Sequence, residues 1–271
     1  MPKKTANDNR FYRLVEIMAE LRGPNGCPWD REQTHKTLRK YLIEECYEVI
    51  EAIDHGNALQ LKEELGDLLL QVLFHARIAQ ENNQFGIDDV IAVISEKLIR
   101  RHPNVFGDVE INSAAEQSVN WEKIKLAEGK ESVLDGVPKA LSALLRAHRI
   151  QQKAATVGFD WPNVAPVWEK IFEEIAELQA AAEHSSRQAL QEEYGDVLFA
   201  LVNAGRFIDI DPEDALRATT EKFIRRFREI ERTLREKGRT MQEATLPEMD
   251  TIWAEIKIRE KSSDSGSSSP E

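Results

Sequence analysis

Apolar positions along most of this chain recur every three to four residues, the period of helices with one buried face. No stretch alternates apolar and polar residues over a useful length, so no strand is expected. Helical periods run near residues 11–22, 34–54, 58–83, 87–100, 115–129, 138–155, 164–183, 186–208, 212–237 and 247–261. Turn chemistry separates several of them, at Gly23-Pro24-Asn25-Gly26, His55-Gly56-Asn57 and His184-Ser185-Ser186. The spacing predicts an all-α protein.

The pattern also repeats. LIEECYEVIEA (42–52) has a partner in IFEEIAELQAA (171–181), and EELGDLL (63–69) in EEYGDVL (192–198), at a constant offset of 129 residues. Further on, EKLIRR (96–101) matches EKFIRR (221–226), and WEKIK (121–125) matches WAEIK (253–257). Two tandem helical-bundle modules account for this, expected at 8–130 and 138–261 and joined by SVLDGVP (132–138). The Ser-rich tail 262–271 is expected to be disordered.

Composition narrows the partners. The 271 residues are 41% hydrophobic and 31% charged, with a formal net charge of −12, so binding to a nucleic-acid polymer is not expected. Cys27 and Cys46 form neither a CxxC pair nor a zinc pattern, which suits a reduced, cytoplasmic protein. The first residues, MPKKTANDNRF, carry no apolar run of the kind a signal peptide needs. No window is apolar for long enough to suggest a membrane span.

The candidate chemistry is acidic. In the first acidic helix, Leu42, Cys46, Val49 and Ile53 form the expected apolar stripe, with Glu45 at its edge and Glu48 one turn on. From Leu65 to Phe74 the partner helix is apolar almost all round and is expected to be buried, yet Glu64, Asp67 and Gln71 share one narrow face of it. Glu193 and Asp196 repeat this beside Val197, Leu198, Phe199 and Leu201. If each helix pair forms a hairpin, Glu45 and Glu48 face Glu64 and Asp67, and Glu174 and Glu177 face Glu193 and Asp196. Four converging carboxylates suit a hard dication, Mg²⁺ first and Mn²⁺ as a substitute. The competing readings are a solvated acidic face or a structural network with Lys and Arg. Lys222 with Arg226, and Trp253 with Lys257, lie one turn apart and have counterparts in Lys97 with Arg101 and Trp121 with Lys125. Such cations could grip phosphate and a Trp could cover a base or ribose, although most such residues are ordinary surface or core.

The EExxE, the following ExxD, GCPWD (26–30), RHPNVFGD (101–108) and VGFDW (157–161) resemble the MazG family of nucleoside triphosphate pyrophosphohydrolases, over nearly the whole chain. The resemblance implies an all-α NTP pyrophosphatase fold and hydrolysis of nucleoside triphosphates to monophosphate and pyrophosphate, with broad specificity and a nucleotide-pool housekeeping role. It implies Mg²⁺ ligation by Glu174, Glu177, Glu193 and Asp196, with Glu45, Glu48, Glu64 and Asp67 as the N-terminal equivalents. It places Lys170, Glu173, Glu192, Lys222, Arg226, Trp253 and Lys257 around the nucleotide, makes the C-terminal module the catalytic one, and implies a homodimer. Lys222, Arg226 and Lys257 would take up charge on leaving pyrophosphate, and either Glu173 or Glu192 would activate water.

The chain itself adds an asymmetry. Asn203 lies two turns after Asp196 and could bond a base or sugar, but its N-terminal equivalent is Phe74, and that of Lys170 is Tyr41. The alternative to an enzyme is a helical scaffold for protein partners, in which Lys170, Asn203 and Trp253 have no common purpose.

Overall fold

The structure, a computed structural model, describes residues 10–128 and 131–264. Among them there is no strand. The chain divides into two compact units, Met1–Ile111 and Asn112–Glu271.

The first unit contains α1 (Arg10–Leu21), α2 (Pro28–Glu32), α3 (Arg39–Asp54), α4 (Ala58–Glu81), α5 (Ile87–Arg101) and α6 (Pro103–Phe106). Its centre is the α3–α4 hairpin, with α1 and α5 packed on α4. Gly56, at φ 63°, adopts the left-handed backbone that reverses the chain. Asn57 then starts α4, its side chain accepting from the amides of Leu59 and Gln60. The expected helix 34–54 is shorter than its periodicity suggested. Thr34 and Thr37 hydrogen-bond each other's backbone and side chains, which diverts the chain into turns before α3 begins. Met18, Leu38, Phe74 and Ile78 form the core, with Tyr41 and Leu70 against it.

The second unit contains α7 (Ala114–Ala127), α8 (Ala143–Ala155), α9 (Ala165–His184), α10 (Arg187–Phe207), α11 (Pro212–Glu236), a 3₁₀ turn at Met241–Glu243 and α12 (Leu246–Asp264). The α9–α10 hairpin carries α8 on α10, and α11 packs on α8 and α12. Ser186, 129 residues after Asn57, caps α10 by accepting from the Ala189 amide. One core joins Val167, Ile171, Ala200 and Ala204, and a second joins Ile230, Leu234, Ile252 and Ile256.

Three expectations change. The unit boundary falls at Ile111/Asn112 rather than within Ser132–Pro138. A buried ion pair accompanies this division: Lys153 Nζ of α8 lies 2.8 Å from Glu122 of α7 and donates at 2.7 Å to the Val133 carbonyl. That pair ties α7 and the expected linker into the second unit. The apolar stripe of α3 is also rotated. Ala52 is buried while Cys46 and Ile53 are exposed, so Leu38, Glu45 and Ala52 mark the inner face and Glu45 is within the stripe, not at its edge. Finally, α4 is not buried all round, since Leu65, Leu69 and Val72 face outward in the single chain. Of the tail, residues 262–264 continue α12, and 265–271 lie outside the described residues. No helix among the described residues is long and apolar enough to cross a membrane.

Candidate active site

The inner face of α9 runs through Val167, Ile171, Glu174 and Leu178, so its period places a carboxylate among apolar side chains. Glu174 is 7% exposed. Across the hairpin, α10 brings Glu193, and the ligand atoms of Glu174, Glu177 and Glu193 lie within 4.8 Å of one another. Three carboxylates this close repel. Burial raises the Glu177 pKa, and Glu174, Glu173 and Glu193 add to the rise against an opposing effect of Lys170. A dication would relieve that repulsion, and an all-oxygen donor set of this kind fits Mg²⁺ or Mn²⁺.

Lys170, one turn before Glu174, places Nζ 2.8 Å from it and 2.7 Å from Glu173. Hydrogen bonds to these two carboxylates push the lysine pKa upward, so it stays charged. Asp196 lies outside the tight group of three but lines a cavity of ≈ 590 Å³ shared with Lys170, Glu174, Asn203, Phe159 and Trp161. Glu173 and Glu192 are exposed, Glu192 accepting from the Gln188 amide at 3.2 Å.

The N-terminal hairpin gathers the equivalent three, Glu45, Glu48 and Glu64, within the same 4.8 Å, with Asp67 outside the group. Among the described residues, no lysine pairs with Glu45. Gln71 donates to it at 3.4 Å, and burial, then Asp67 and Glu48, raise its pKa.

A model of the MazG nucleotide pyrophosphohydrolase domain matches this chain twice, at residues 33–106 and 166–230, once over each hairpin. The chain belongs to the MazG nucleotide pyrophosphohydrolase family. It is therefore a nucleotide pyrophosphohydrolase built as tandem all-α MazG modules. The MazG nucleoside triphosphate pyrophosphohydrolase/pyrophosphatase of Thermotoga maritima is 48% identical to it over 250 residues, covering 91% of this chain and 95% of the relative. The nucleoside triphosphate pyrophosphohydrolase of Escherichia coli K12 is 45% identical over 259 residues, covering 93% and 98%. YabN of Bacillus subtilis, an uncharacterized protein, is 50% identical over 263 residues, which are 94% of this chain and 53% of YabN.

The remaining expected MazG residues form a second group on the α11–α12 hairpin. Arg226 sits 5.3 Å from the Trp253 ring centroid and is held by Glu260 at 2.6 Å. Trp253 also packs against Phe223 and the core of this hairpin, while Lys222 and Lys257 are exposed. None of these four lines the carboxylate cavity of the single chain. The repeated pair Trp121 and Lys125 lines a different cavity of the second unit, beside the buried Glu122 and Lys153.

Sequence reasoning missed the contacts that shape the cavity. Arg206 places Nη2 2.6 Å from Asp160 and donates through Nη1 to Asn203 Oδ1 at 2.6 Å. Asp160 and Trp161 belong to VGFDW, where Gly158 takes φ 87° to turn the chain back toward α10. The motif marked the family, but its contacts are long-range and its periodicity is silent about them.

Proposed function

We propose that this chain cleaves the α–β phosphoanhydride bond of nucleoside triphosphates, releasing monophosphate and pyrophosphate, with Mg²⁺ (or Mn²⁺ as a substitute) held by Glu174, Glu177, Glu193 and Asp196. The observation that carries the reading is the carboxylate group of the second hairpin opening on a cavity that also holds Lys170 and Asn203. A dication bound by these carboxylates would supply charge neutralisation to the triphosphate. The chain's residues do the rest. Lys170 orients Glu173 and Glu174 through its two ion pairs. Of the two candidate bases, Glu173 is engaged by that lysine, whereas among the described residues Glu192 accepts from the Gln188 side-chain amide, so Glu192 is the freer to accept a proton from water. Lys222, Arg226 and Lys257 neutralise the leaving pyrophosphate, and Trp253 covers the nucleoside.

Those four residues meet the carboxylates in a homodimer. Support comes from the apolar surface of the hairpins. Ile43, Leu65, Leu69 and Val72 are exposed on the first, and their equivalents at the 129-residue offset, Phe172, Tyr194, Leu198 and Leu201, are exposed on the second. On each hairpin the outward positions of α4 and α10 recur at i, i+4 and i+7, one continuous face, which costs solvation unless another copy covers it. The reading extends to a cytoplasmic housekeeping enzyme, consistent with two free cysteines.

The test is pyrophosphate release from a mixture of the common triphosphates with Mg²⁺, alongside sedimentation of the same sample. Release that stops on chelation and returns with Mg²⁺, from a species of twice the chain mass, is the expected result. Metal-independent release or an active monomer would overturn the corresponding part.

A further inference from the structure

Phe159 is 81% exposed, although its backbone is fixed on both sides. Its amide donates to the Ala154 carbonyl at 3.2 Å, and the preceding Gly158 turns the chain at φ 87°. The following Asp160 pairs with Arg206 of α10 at 2.6 Å and accepts from the Trp161 amide at 3.0 Å. A Phe on a free loop would fold its ring onto the nearest apolar surface, and this one is held out in solvent instead. Phe159 and Trp161 line the ≈ 590 Å³ cavity that also holds Lys170, Glu174, Asp196 and Asn203. Ile150, Ala154, Phe199 and Ala200 are among its other lining residues. Its size suits a small molecule, whose sites run from about 300 to 1,000 Å³. The first unit has the same order of residues, an aromatic before an aspartate, in Trp29-Asp30 of GCPWD. There Trp29 packs edge-on against Tyr41 and Phe74, which stand where the second unit has Lys170 and Asn203. The aromatic of this motif thus lies against other rings where the pocket is filled, and lines an open cavity where it is not.

We propose that Phe159, with Trp161, is the stacking platform for the base of the nucleotide. The inference rests on the nucleotide reading above and deepens it. The triphosphate is charged and belongs with the carboxylates and their dication, and the ribose carries hydroxyls. The base is the part of the nucleotide with a broad π face to set against an exposed aromatic ring. Every base has such a face, so the platform accepts all of them. The larger purines overlap it more than the pyrimidines do. Because the Phe159 backbone is already fixed by Ala154 and by the Asp160–Arg206 pair, little ordering is left to be lost when a base docks.

The experiment measures KM and kcat of the full chain with Mg²⁺ for ATP, GTP, CTP and UTP, in the parent and in Phe159→Ala, Phe159→Leu and Phe159→Trp. Tripolyphosphate, which has no base, serves as the competing inhibitor. Phe159→Ala should raise KM by about 10- to 100-fold for all four nucleotides, more for the purines, with little change in kcat. Phe159→Leu, which keeps apolar bulk but no ring, should lie between, and Phe159→Trp should keep the parent KM. The inhibition constant of tripolyphosphate should stay within about twofold of the parent value throughout. Calorimetric binding of α,β-methylene ATP reads the same loss without turnover. Parent KM values in Phe159→Ala, with hydrolysis intact, overturn the inference alone. So does an equal rise for tripolyphosphate, which would place Phe159 with the phosphates, or a change of sedimenting mass at unchanged KM, which would make it a contact between copies. Binding of the methylene analogue that Phe159→Ala abolishes, with no turnover of any triphosphate by the parent, supports the inference and overturns the hydrolytic reading instead.

Discussion

The two hairpins keep the same three clustered carboxylates and differ in what stands beside them. In the second, Lys170 pairs with Glu174, and Asn203 lines a cavity. In the first, the same positions are Tyr41 and Phe74, and Phe74 is 3% exposed in the core with Met18, Leu38 and Ile78. Trp29 packs edge-on to both aromatic rings, and Arg22 lies over Phe74. Where one copy has space and hydrogen bonds for a ligand, the other is filled by aromatic side chains of its own. A carboxylate cluster is thus separable from the pocket that makes it useful. The carboxylate cluster is present in both copies, whereas the neighbouring lysine and asparagine belong to the second.

Matched substitutions would break this comparison most sharply at the carboxylates. Glu193→Gln is expected to lower kcat/KM by about 10³-fold, while Glu64→Gln at the equivalent position changes it by less than about twofold. Pyrophosphate release measures both. Because the substitution removes a repelling charge, metal-free Glu193→Gln should melt no lower than the parent. Comparable losses from the two variants would mean that both copies are catalytic.

Next come the filled and open positions. Phe74→Ala is expected to cost about 3–5 kcal/mol in urea unfolding, since it empties a packed core. Asn203→Ala, at the rim of an existing cavity, should cost under about 1 kcal/mol of stability and act on turnover instead. A large stability loss from Asn203→Ala with unchanged kinetics would reverse their roles.

The helices α7 and α12 carry the repeated Trp and Lys but are held differently. Ile252 and Ile256 anchor α12 through apolar packing, whereas Glu122 of α7 is held by Lys153 and by Lys125 at 2.5 Å. Burial alone would raise the Glu122 pKa, and the hydrogen bonds from the two lysines overcome it and hold it below the ordinary range. Lys153→Met leaves a buried carboxylate with half its partners and is expected to cost about 3 kcal/mol. Adding Glu122→Met should recover most of that loss, which thermal denaturation of the single and double variants would check.

The smallest effect is at the two helix starts. Glu116 accepts from the Asn112 amide at 2.8 Å, and Glu248 from the Thr245 amide at 2.8 Å, but only Glu248 also takes Arg239, at 2.8 Å. Arg239, then the Thr245 amide and hydroxyl, lower the Glu248 pKa to about 2 from an ordinary 4.5. A depressed carboxylate stabilises fully above its unfolded pKa, and that contribution is lost as pH falls from about 4.5 toward 2. Both side chains are solvent-exposed, so the effect is small. The Tm of the parent should exceed that of Glu248→Gln slightly at pH 7, and the gap should close by about pH 2. A gap independent of pH would remove the charge from the account of this cap.

Whatever depends on neighbours in sequence was legible without coordinates. Helical period, the 129-residue offset, the turn at His55-Gly56-Asn57 and the placement of EExxE on one helix all follow from backbone propensity and local side-chain spacing. The caps at Asn57 and Ser186 are local in the same sense. Tertiary structure decided which face turned inward. Helical period alone set Glu45 beside the stripe, but in the fold it is half-buried on the same face as the buried Leu38 and Ala52. The tertiary structure also placed α7 with the second unit, where a lysine and a glutamate 31 residues apart in the chain meet in a buried pair. The clamp from Asp160 through Arg206 to Asn203 joins residues that no periodicity connects. Such contacts depend on how helices cross, and crossing is set by the packing of whole faces, not by the residues nearest in the chain.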